Sequence, residues 1–374
     1  MGEPGDTNSF DTRNTNVFTP RETFEMQGLE SKEYYPYVTR RIIDLFGEGR
    51  LPAVTSIAVE PEYGYVVVLT YVDGSRRVTY GNDLGINAGA ACDLAKDKGH
   101  SKFVLQRIGV NTPEGESFLL PSWAARVMEN PHQAANRNIR TANDADTYIQ
   151  SNFGYPVYIK PIDGSKGSDV YKVYSQEELS QVVALYEAKK IRVVLVERPV
   201  EMPDYRVVML NGELISAYER IPLTVTGDGS HTIGELTQAL QEQYLGEGRD
   251  TKITLDDPRI NNELSKRGLT LNDMPIEGQK IILLPISNLS AGGTSRDVSK
   301  IIDKHWIELA AYIARNFNLG LCGLDLACAD ITSPTAPYSV IEVNATPGLD
   351  HYASSGDEQR RIVDDLYVKV LSAH

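Results

Sequence analysis

Short apolar runs alternate with longer amphipathic stretches along most of this chain of 374 residues. Apolar residues at every second position are typical of strands, and apolar residues at every third or fourth position are typical of helices. We predict strands at 53–59, 65–72, 76–80, 157–160, 192–197, 205–210, 213–219, 280–284, 321–329 and 338–344. We predict helices at 37–45, 90–98, 102–108, 176–189, 232–244 and 306–317. This order of elements predicts an α+β fold with mixed sheets in more than one lobe.

Local turn and capping signals support several of these elements. Asp73-Gly74 and Asn211-Gly212 each join two strand-like runs, which is typical of hairpin turns. Ser175 and Glu178 have the spacing of a capping box at the start of a helix. Residues 1–35 are rich in Asn, Thr, Glu and Gly and show little periodicity, so we interpret them as an irregular lead-in.

The charge balance and the cysteine count exclude several classes of protein. The chain has 51 acidic against 37 basic residues, a formal net charge of −14, and nowhere are three basic residues consecutive. Neither nucleic acid nor an anionic membrane surface is therefore an expected partner. No apolar run approaches the ~20 residues of a membrane span, and the N-terminus lacks an export signal. The cysteines, Cys92, Cys322 and Cys328, form neither a disulfide framework nor a zinc pattern. We therefore expect a cytoplasmic protein.

Two consecutive strands near the C-terminus carry oxygen-bearing side chains. In the run at 321–328, strand alternation places Asp325 on a face with two small residues. In the run at 338–344, it places Glu342 and Asn344 on one face. Carboxylate and amide oxygens without histidine or thiolate suit Mg²⁺ or Mn²⁺. On periodicity alone, ordinary solvent-facing contacts stay open as the alternative.

Two strand ends carry charges that suit a nucleotide. Lys160 directly precedes a Gly/Ser-rich loop at 163–168, where a lysine can contact phosphates while loop N–H groups surround them. Glu197 ends another apolar strand, where a carboxylate can accept a hydrogen bond from the adenine amino group. A solvated strand-end residue is the alternative for Glu197. The chain contains none of the motifs GxxxxGK[ST], GxGxxG, GxSxG or HExxH, which removes the P-loop, Rossmann, serine-hydrolase and zincin interpretations.

Seven segments occur in an order that resembles the ATP-grasp superfamily of carboxylate–amine ligases. They lie at 95–115, 158–170, 196–222, 226–236, 284–298, 323–326 and 340–349. Within the superfamily, the chain is most similar to the ATP-grasp parts of cyanophycin synthetases and of bifunctional glutathione synthetases. The resemblance implies an ATP-grasp fold, with mixed or antiparallel sheets in two lobes that grip ATP, preceded by a small α/β N-terminal domain.

The resemblance also implies a division into three parts. Residues 1–95 would be the lead-in and the small α/β domain, 96–200 the central subdomain with the phosphate lid loop, and 201–374 the C-terminal subdomain with the metal and substrate site. Within the last part, residues 222–285 look like an insertion. Because the matched region accounts for only part of either synthetase, we expect a stand-alone ligase whose substrates cannot be inferred from theirs.

The resemblance implies a role for individual residues. Lys102 and Lys160 would contact the nucleotide phosphates, with Lys98 as the alternative to Lys102. The lid over the phosphates would comprise Asp163, Gly164, Ser165, Lys166, Gly167 and Ser168. Adenine would lie against Glu197 and the backbone of Arg198 to Val200, and the ribose against Asp204. The magnesium (or manganese) ions would be bound by Asp325, Glu342 and Asn344. The γ-phosphate and the reacting carboxylate would face Arg220, Asn288, Gly292 and Gly293, with Arg206 as a second candidate.

These roles imply an ADP-forming ligase that activates the carboxylate of an amino acid or small peptide as an acyl phosphate and joins it to an amine. Two alternatives stay open: an ATP-grasp enzyme that modifies a ribosomal peptide, and a nucleotide-binding regulatory module without turnover. The expected partners are small carboxylate and amine substrates. If the chain self-associates, a homodimer is the expected form, because two-fold dimers are the commonest oligomers.

Overall fold

A computed structural model describes residues 32–130, 132, 139–164, 169–246, 253–285, 287 and 289–372. Within these residues the strands form sheets of three, two, five and four strands, and every ladder between them is antiparallel. The predicted α+β class is confirmed, in its antiparallel rather than its mixed form. None of the described helices is long and apolar enough to cross a bilayer.

The elements are labelled in chain order over the described residues. The helices are α1 Tyr37–Gly47, α2 Gly89–Lys96, α3 Lys98–Arg107, α4 Pro121–Glu129, α5 Ala145–Asn152, α6 Gln176–Ala188, α7 Ile233–Gly246, α8 Pro258–Ser265, α9 Lys304–Asn316, α10 Asp350–Ala353 and α11 Asp357–Ser372. The strands are β1 Val54–Val59, β2 Val66–Tyr71, β3 Arg76–Tyr80, β4 Gly115–Leu119, β5 Val157–Pro161, β6 Tyr171–Val173, β7 Val193–Glu197, β8 Asp204–Leu210, β9 Glu213–Ile221, β10 Thr224–Thr226, β11 Lys280–Ile282, β12 Thr294–Asp297, β13 Leu321–Cys328 and β14 Tyr338–Asn344.

The predicted hairpin after α1 is confirmed as part of the three-stranded sheet β1-β2-β3. In its turn, Asp73 accepts a hydrogen bond from the Ser75 N–H (2.9 Å), and Gly74 takes a positive φ of 83°. The C-terminal helix α11, which the sequence analysis did not predict, completes the core beneath this sheet. The Tyr71 hydroxyl donates to the Leu371 carbonyl (2.8 Å), so the sheet and the distant helix are packed together.

The four-stranded sheet has the order β4-β7-β5-β6 and packs against α5 and α6. At the start of α6, the Ser175 hydroxyl accepts a hydrogen bond from the Glu178 N–H (3.2 Å), as the capping box predicts. A capping box also predicts that the Glu178 carboxylate accepts a hydrogen bond from the Ser175 N–H. The carboxylate instead accepts from the Tyr174 N–H (3.1 Å). Strands β5 and β7 are antiparallel neighbours in this sheet, with Tyr158 opposite Glu197 and Lys160 opposite Leu195.

The five-stranded sheet has the order β12-β9-β8-β13-β14. Helices α2, α3 and α9 cover one face, where Trp306 is buried among the apolar residues of β8, β13 and β14. We predicted that the second of these helices starts at residue 102. It starts at Lys98 instead, because the Asp97 side chain caps its N-terminus by accepting from the His100 N–H (2.8 Å). The other face of the sheet carries charged side chains.

The predicted insertion forms a small unit with its own core. Strands β10 and β11 pair there, and apolar residues of α7 and α8, including Ile233 and Ile260, share a core with Ile281 of β11. The predicted strand at 280–284 is shorter than expected and ends at Ile282. The domain boundaries given above stay a prediction.

Candidate active site

One cleft of about 1490 Å³ lies between the charged face of the five-stranded sheet, residues of β5 and β7, and helix α1. Pockets for one small ligand are commonly about 300–1000 Å³. The cleft therefore has room for more than one small molecule. Nearly all the charged residues singled out from the sequence line it or lie directly behind its wall.

A row of charged residues crosses the face of the five-stranded sheet. The strand register places Arg206 directly opposite Asp325, and Asp325 directly opposite Glu342. Asp204 lies opposite Arg220 in the same way. Residues directly opposite one another on antiparallel strands share a face. The two arginines thus line the cleft together with four predicted site residues that carry side-chain oxygens, namely Asp204, Asp325, Glu342 and Asn344.

Asp325 is buried between two arginines. Arg206 binds it through Nε and through Nη2 (3.2 Å), and the Arg220 Nη2 lies 2.8 Å from its Oδ2. Burial raises the pKa of Asp325, but the two guanidinium groups outweigh burial and hold that pKa below its usual range. At 4% exposure, Asp325 does not make the solvent-facing contacts of the alternative interpretation.

Arg220 connects Asp325 with Asp204, because its guanidinium contacts both carboxylates. Its Nη2 also lies 2.8 Å and 2.9 Å from the two carboxylate oxygens of Asp204. Burial and the nearby charge of Asp325 outweigh Arg220 at Asp204, so the pKa of Asp204 is raised. The Arg220 Nε is buried and has no hydrogen-bond partner among the described residues. This donor is free to bind a group in the cleft.

Glu197 lies beneath two lysines at the end of β7. Its carboxylate oxygens are 3.0 Å from Lys102 Nζ and 2.6 Å from Lys160 Nζ. Burial raises the pKa of Glu197, and the lysine charges outweigh burial and lower it overall. The alternative of a solvated strand-end residue is wrong, because Glu197 is only 4% exposed. Both its oxygens are used on the lysines, a contact that the sequence analysis did not foresee.

The two candidate lysines of α3 have different positions. Lys98 lines the cleft, where its Nζ lies 3.2 Å from the Glu342 carboxylate and donates to the Gly164 carbonyl (2.5 Å). Lys102 lies behind the wall, where its Nζ also donates to the Pro113 carbonyl. The geometry therefore brings the alternative lysine, Lys98, to the cleft surface.

The predicted loops are only partly described. The lid residues Ser165, Lys166, Gly167 and Ser168, and also Asn288, lie outside the described residues. Gly292 and Gly293 are not among the residues that line the cleft, and the Gly292 carbonyl accepts a hydrogen bond from the Tyr244 hydroxyl (2.9 Å). Arg198 and Val200 line the cleft, and Arg198 lies 3.5 Å from Glu114.

The candidate metal ligands provide two carboxylates and one amide. Within the residues that the structure describes, no cluster of three or more His, Cys, Asp or Glu residues could hold a metal ion. Asp325 is engaged by arginines and Glu342 by Lys98. The oxygen donors nevertheless suit a hard cation in chemical type.

An ATP-grasp fold accounts for two antiparallel sheets that enclose a cleft lined by many charged side chains. Comparisons with known proteins identify the same fold. Residues 139–296 match the family model of the ATP-grasp domain of prokaryotic glutathione synthetase. The bifunctional glutathione synthetase from Pasteurella multocida has a similar structure, with a TM-score of 0.54, 22% identity, and coverage of 89% of this chain and 43% of that one. The chain has the ATP-grasp fold, and residues 139–296 are similar in sequence to ATP-grasp domains.

Particular relatives are found among two groups of synthetases. Cyanophycin synthetase from Crocosphaera subtropica is 32% identical over 280 residues, which cover 73% of this chain and 30% of that protein. The glutathione biosynthesis bifunctional protein GshAB from Enterococcus faecalis is 26% identical over 283 residues, which cover 73% of this chain and 35% of that protein. The chain thus spans 30% and 35% of the lengths of these relatives.

Proposed function

We propose that this chain is an ATP-dependent, ADP-forming ligase, which activates the carboxylate of an amino acid or small peptide as an acyl phosphate and joins it to an amine. The observation that carries the proposal is the single cleft in which Lys98, Lys160, Arg206 and Arg220 converge. Phosphoryl transfer depends on positioning and charge neutralisation more than on a covalent nucleophile. The names of the relatives, which are synthetases, are consistent with this chemistry.

For the nucleotide, we assign Lys98 and Lys160 to the phosphates. Lys160 is held by Glu197 and Lys98 by Glu342, so both ammonium groups have a fixed position near the Gly164 loop. Lys102 would support them through the shared carboxylate of Glu197. The backbone from Arg198 to Val200 would contact adenine and Asp204 the ribose, both at the cleft wall.

For the transferred phosphoryl group, we assign the charge-stabilising role to Arg220, supported by Arg206. Arg220 has a buried Nε without a partner among the described residues and is held in place through its Nη2 by two carboxylates. A preorganised donor of this kind stabilises charge that develops in the transition state. The lid at 163–168 and the loop at 288–294 would exclude water, which otherwise hydrolyses an acyl phosphate.

Magnesium (or manganese) would be held by Glu342 and Asn344, with Asp325 as the third candidate. When bound, such a cation neutralises the phosphate charge of ATP. The reaction then consists of transfer of the γ-phosphoryl group to a carboxylate oxygen, attack of the amine on the acyl carbon, and loss of phosphate and a proton. We place this activity in the cytoplasm, with small molecules as substrates, and leave a homodimer as the form of any self-association.

The test is release of ADP with amino acids and dipeptides supplied in pairs with ATP and Mg²⁺. ADP, phosphate and amide should form in equal amounts and only when a carboxylate donor is present. Lys160→Met should abolish release, while Lys300→Met, whose side chain is exposed on the surface, should leave it unchanged. Formation of AMP and pyrophosphate would refute the mechanism. ATP binding without turnover in any pair would favour the regulatory module, and turnover with peptides alone would favour peptide modification.

A further inference from the structure

Helix α1 contributes one arginine to the cleft that has no anionic partner among the described residues. The other cleft-lining arginines, Arg198, Arg206, Arg220 and Arg267, each lie within 4.0 Å of a carboxylate. Arg40 has no such carboxylate among the described residues, and its Nε is buried without a hydrogen-bond acceptor. A buried guanidinium donor without an acceptor is costly unless another group completes it. Arg40 thus differs from the other arginines of the cleft, because no described carboxylate neutralises its charge.

Tyr37 presents a second unpartnered donor one helical turn before Arg40. Positions three apart on a helix share a face, and both side chains line the cleft. The Tyr37 hydroxyl is buried and has no hydrogen-bond partner among the described residues. Burial, together with the charge of Asp364, raises the pKa of Tyr37 to about 12, so the hydroxyl keeps its proton as a donor.

Two carboxylates near helix α1, those of Asp364 and Asp365, are already bound by arginines other than Arg40. Asp364 is bound by Arg41 through Nε and Nη2, both at 2.9 Å, and Arg50 also lies near it at 3.6 Å. Asp365 is bound by Arg50 at 2.7 Å. Arg40 lies next to Arg41 in the sequence but faces the cleft instead. Its guanidinium forms no ion pair with a described carboxylate, including Glu33 and Asp350, which also line the cleft.

We propose that Arg40 and Tyr37 form a binding site for a carboxylate that does not react, namely the free carboxylate of the amine substrate. The identification of this ligand as a substrate rests on the proposed ligase function, whereas the site itself is defined by its two hydrogen-bond donors. A planar carboxylate accepts from a guanidinium and a hydroxyl at once, and charge-assisted hydrogen bonds are among the strong ones. An amine without a carboxylate would be a cation and would be repelled by Arg40.

The position of the site suits a second ligand beside the nucleotide. Tyr218, which lies directly opposite Arg206 in the sheet, stacks on Tyr352 with ring centroids 4.9 Å apart. Tyr352 belongs to the same core as the buried face of α1. Packed side chains thus connect the arginines assigned to the phosphoryl group with the helix that carries Arg40. The volume of the cleft, about 1490 Å³, accommodates an amino acid in addition to a nucleotide.

The test is binding rather than turnover, so that its failure is distinguishable from failure of the ligase proposal. The probes are the common amino acids and their carboxamides, for example L-alanine and L-alaninamide, titrated by thermal shift with Mg²⁺ and a non-hydrolysable ATP analogue. At least one free acid should bind the wild-type chain more tightly than its amide. Arg40→Ala should weaken binding of that acid about 10- to 100-fold and leave binding of the amide unchanged.

Three further variants separate a carboxylate site from a structural role. Tyr37→Phe keeps the packing and should weaken acid binding by a smaller factor, and Arg40→Lys should restore part of the loss. Arg76→Ala removes an exposed arginine from β3 and should bind the acid as the wild type does. Equal binding of acids and amides, binding of neither, or an acid preference that survives in Arg40→Ala would overturn the inference. Acid-specific binding without ADP release would refute the ligase and keep the site.

Discussion

Replacing Glu197 with glutamine tests whether this residue holds the lysines or contacts the nucleotide. The substitution keeps the side-chain volume and removes one buried negative charge. The side chain of Glu197 is 5% exposed and those of Lys102 and Lys160 are 9% exposed, so solvent does little to replace the lost charge. Removing one member of a buried ion pair commonly costs about 3–5 kcal/mol, because the other charge is left uncompensated. We predict a loss of this size in the free energy of unfolding.

The assay is urea unfolding at neutral pH with and without a non-hydrolysable ATP analogue. Phosphates supply negative charge to the uncompensated lysines, so the analogue should stabilise Glu197→Gln more than the wild type. Glu114→Gln is the control, because Glu114 is more than half exposed and its pair with Arg198 is 3.5 Å long, and it should change stability by less than about 0.5 kcal/mol. If both variants unfold alike and Glu197→Gln binds the analogue more weakly, Glu197 contacts adenine and our argument is wrong.

A second check is the pH dependence of the difference in unfolding free energy between the wild type and Glu197→Gln. The pKa of Glu197 is lowered from 4.5, so its contribution is present above that value and is lost as the pH falls through the folded-state pKa. The pKa of Lys160 is raised from 10.5, so its contribution is present below that value and is lost as the pH rises through the folded-state pKa. The difference between wild type and Glu197→Gln should therefore be constant from about pH 5 to pH 10 and shrink outside that window.

Three other substitutions address the phosphoryl site, the metal and the core. Arg220→Ala should lower kcat about 100-fold with a smaller change in KM for ATP, and an equal change in both would argue against a role in the transition state. Glu342→Gln should lower kcat at least about tenfold and raise the Mg²⁺ concentration that half-saturates the enzyme, with a smaller loss of stability than Glu197→Gln, because Glu342 is 23% exposed and contacts one lysine rather than two. Trp306→Ala should cost about 3–5 kcal/mol in urea unfolding, because Trp306 is 0% exposed, whereas Phe103→Ala at 61% exposure should cost less than about 1 kcal/mol.

The C-terminal half of the site could be predicted from the sequence because it depends on one periodicity. Alternation in β14 places Glu342 and Asn344 on one face, and the register that pairs Asp325 with Glu342 in the next strand along the chain brings Asp325 to the same face. No information about distant residues is needed for this step. The partner of Asp325 is different, since Arg206 and Arg220 lie on strands whose order in the sheet does not follow the chain.

The contacts of Glu197 and of α1 could not be predicted in the same way. Lys102 and Glu197 are separated by 95 positions, and Arg41 and Asp364 by 323, so only the tertiary fold brings them together. Strand β4 was not predicted because its sequence, GESFL, is too polar for the pattern and is held by pairing with β7. Helix α11 did leave a signal, since Val363, Leu366, Tyr367 and Val370 follow a helical spacing that the sequence analysis passed over.

The charges of the cleft are arranged so that most cations share a carboxylate of the protein. Five cations, Lys98, Lys102, Lys160, Arg206 and Arg220, face four carboxylates, Glu197, Asp204, Asp325 and Glu342. Because a buried charge is costly unless it is paired, cations that are to meet phosphates need partners that belong to the fold. Carboxylates in such a site therefore do not all have to touch a nucleotide or a metal ion. Glu197 is the clearest case, because its two carboxylate oxygens contact Lys102 and Lys160.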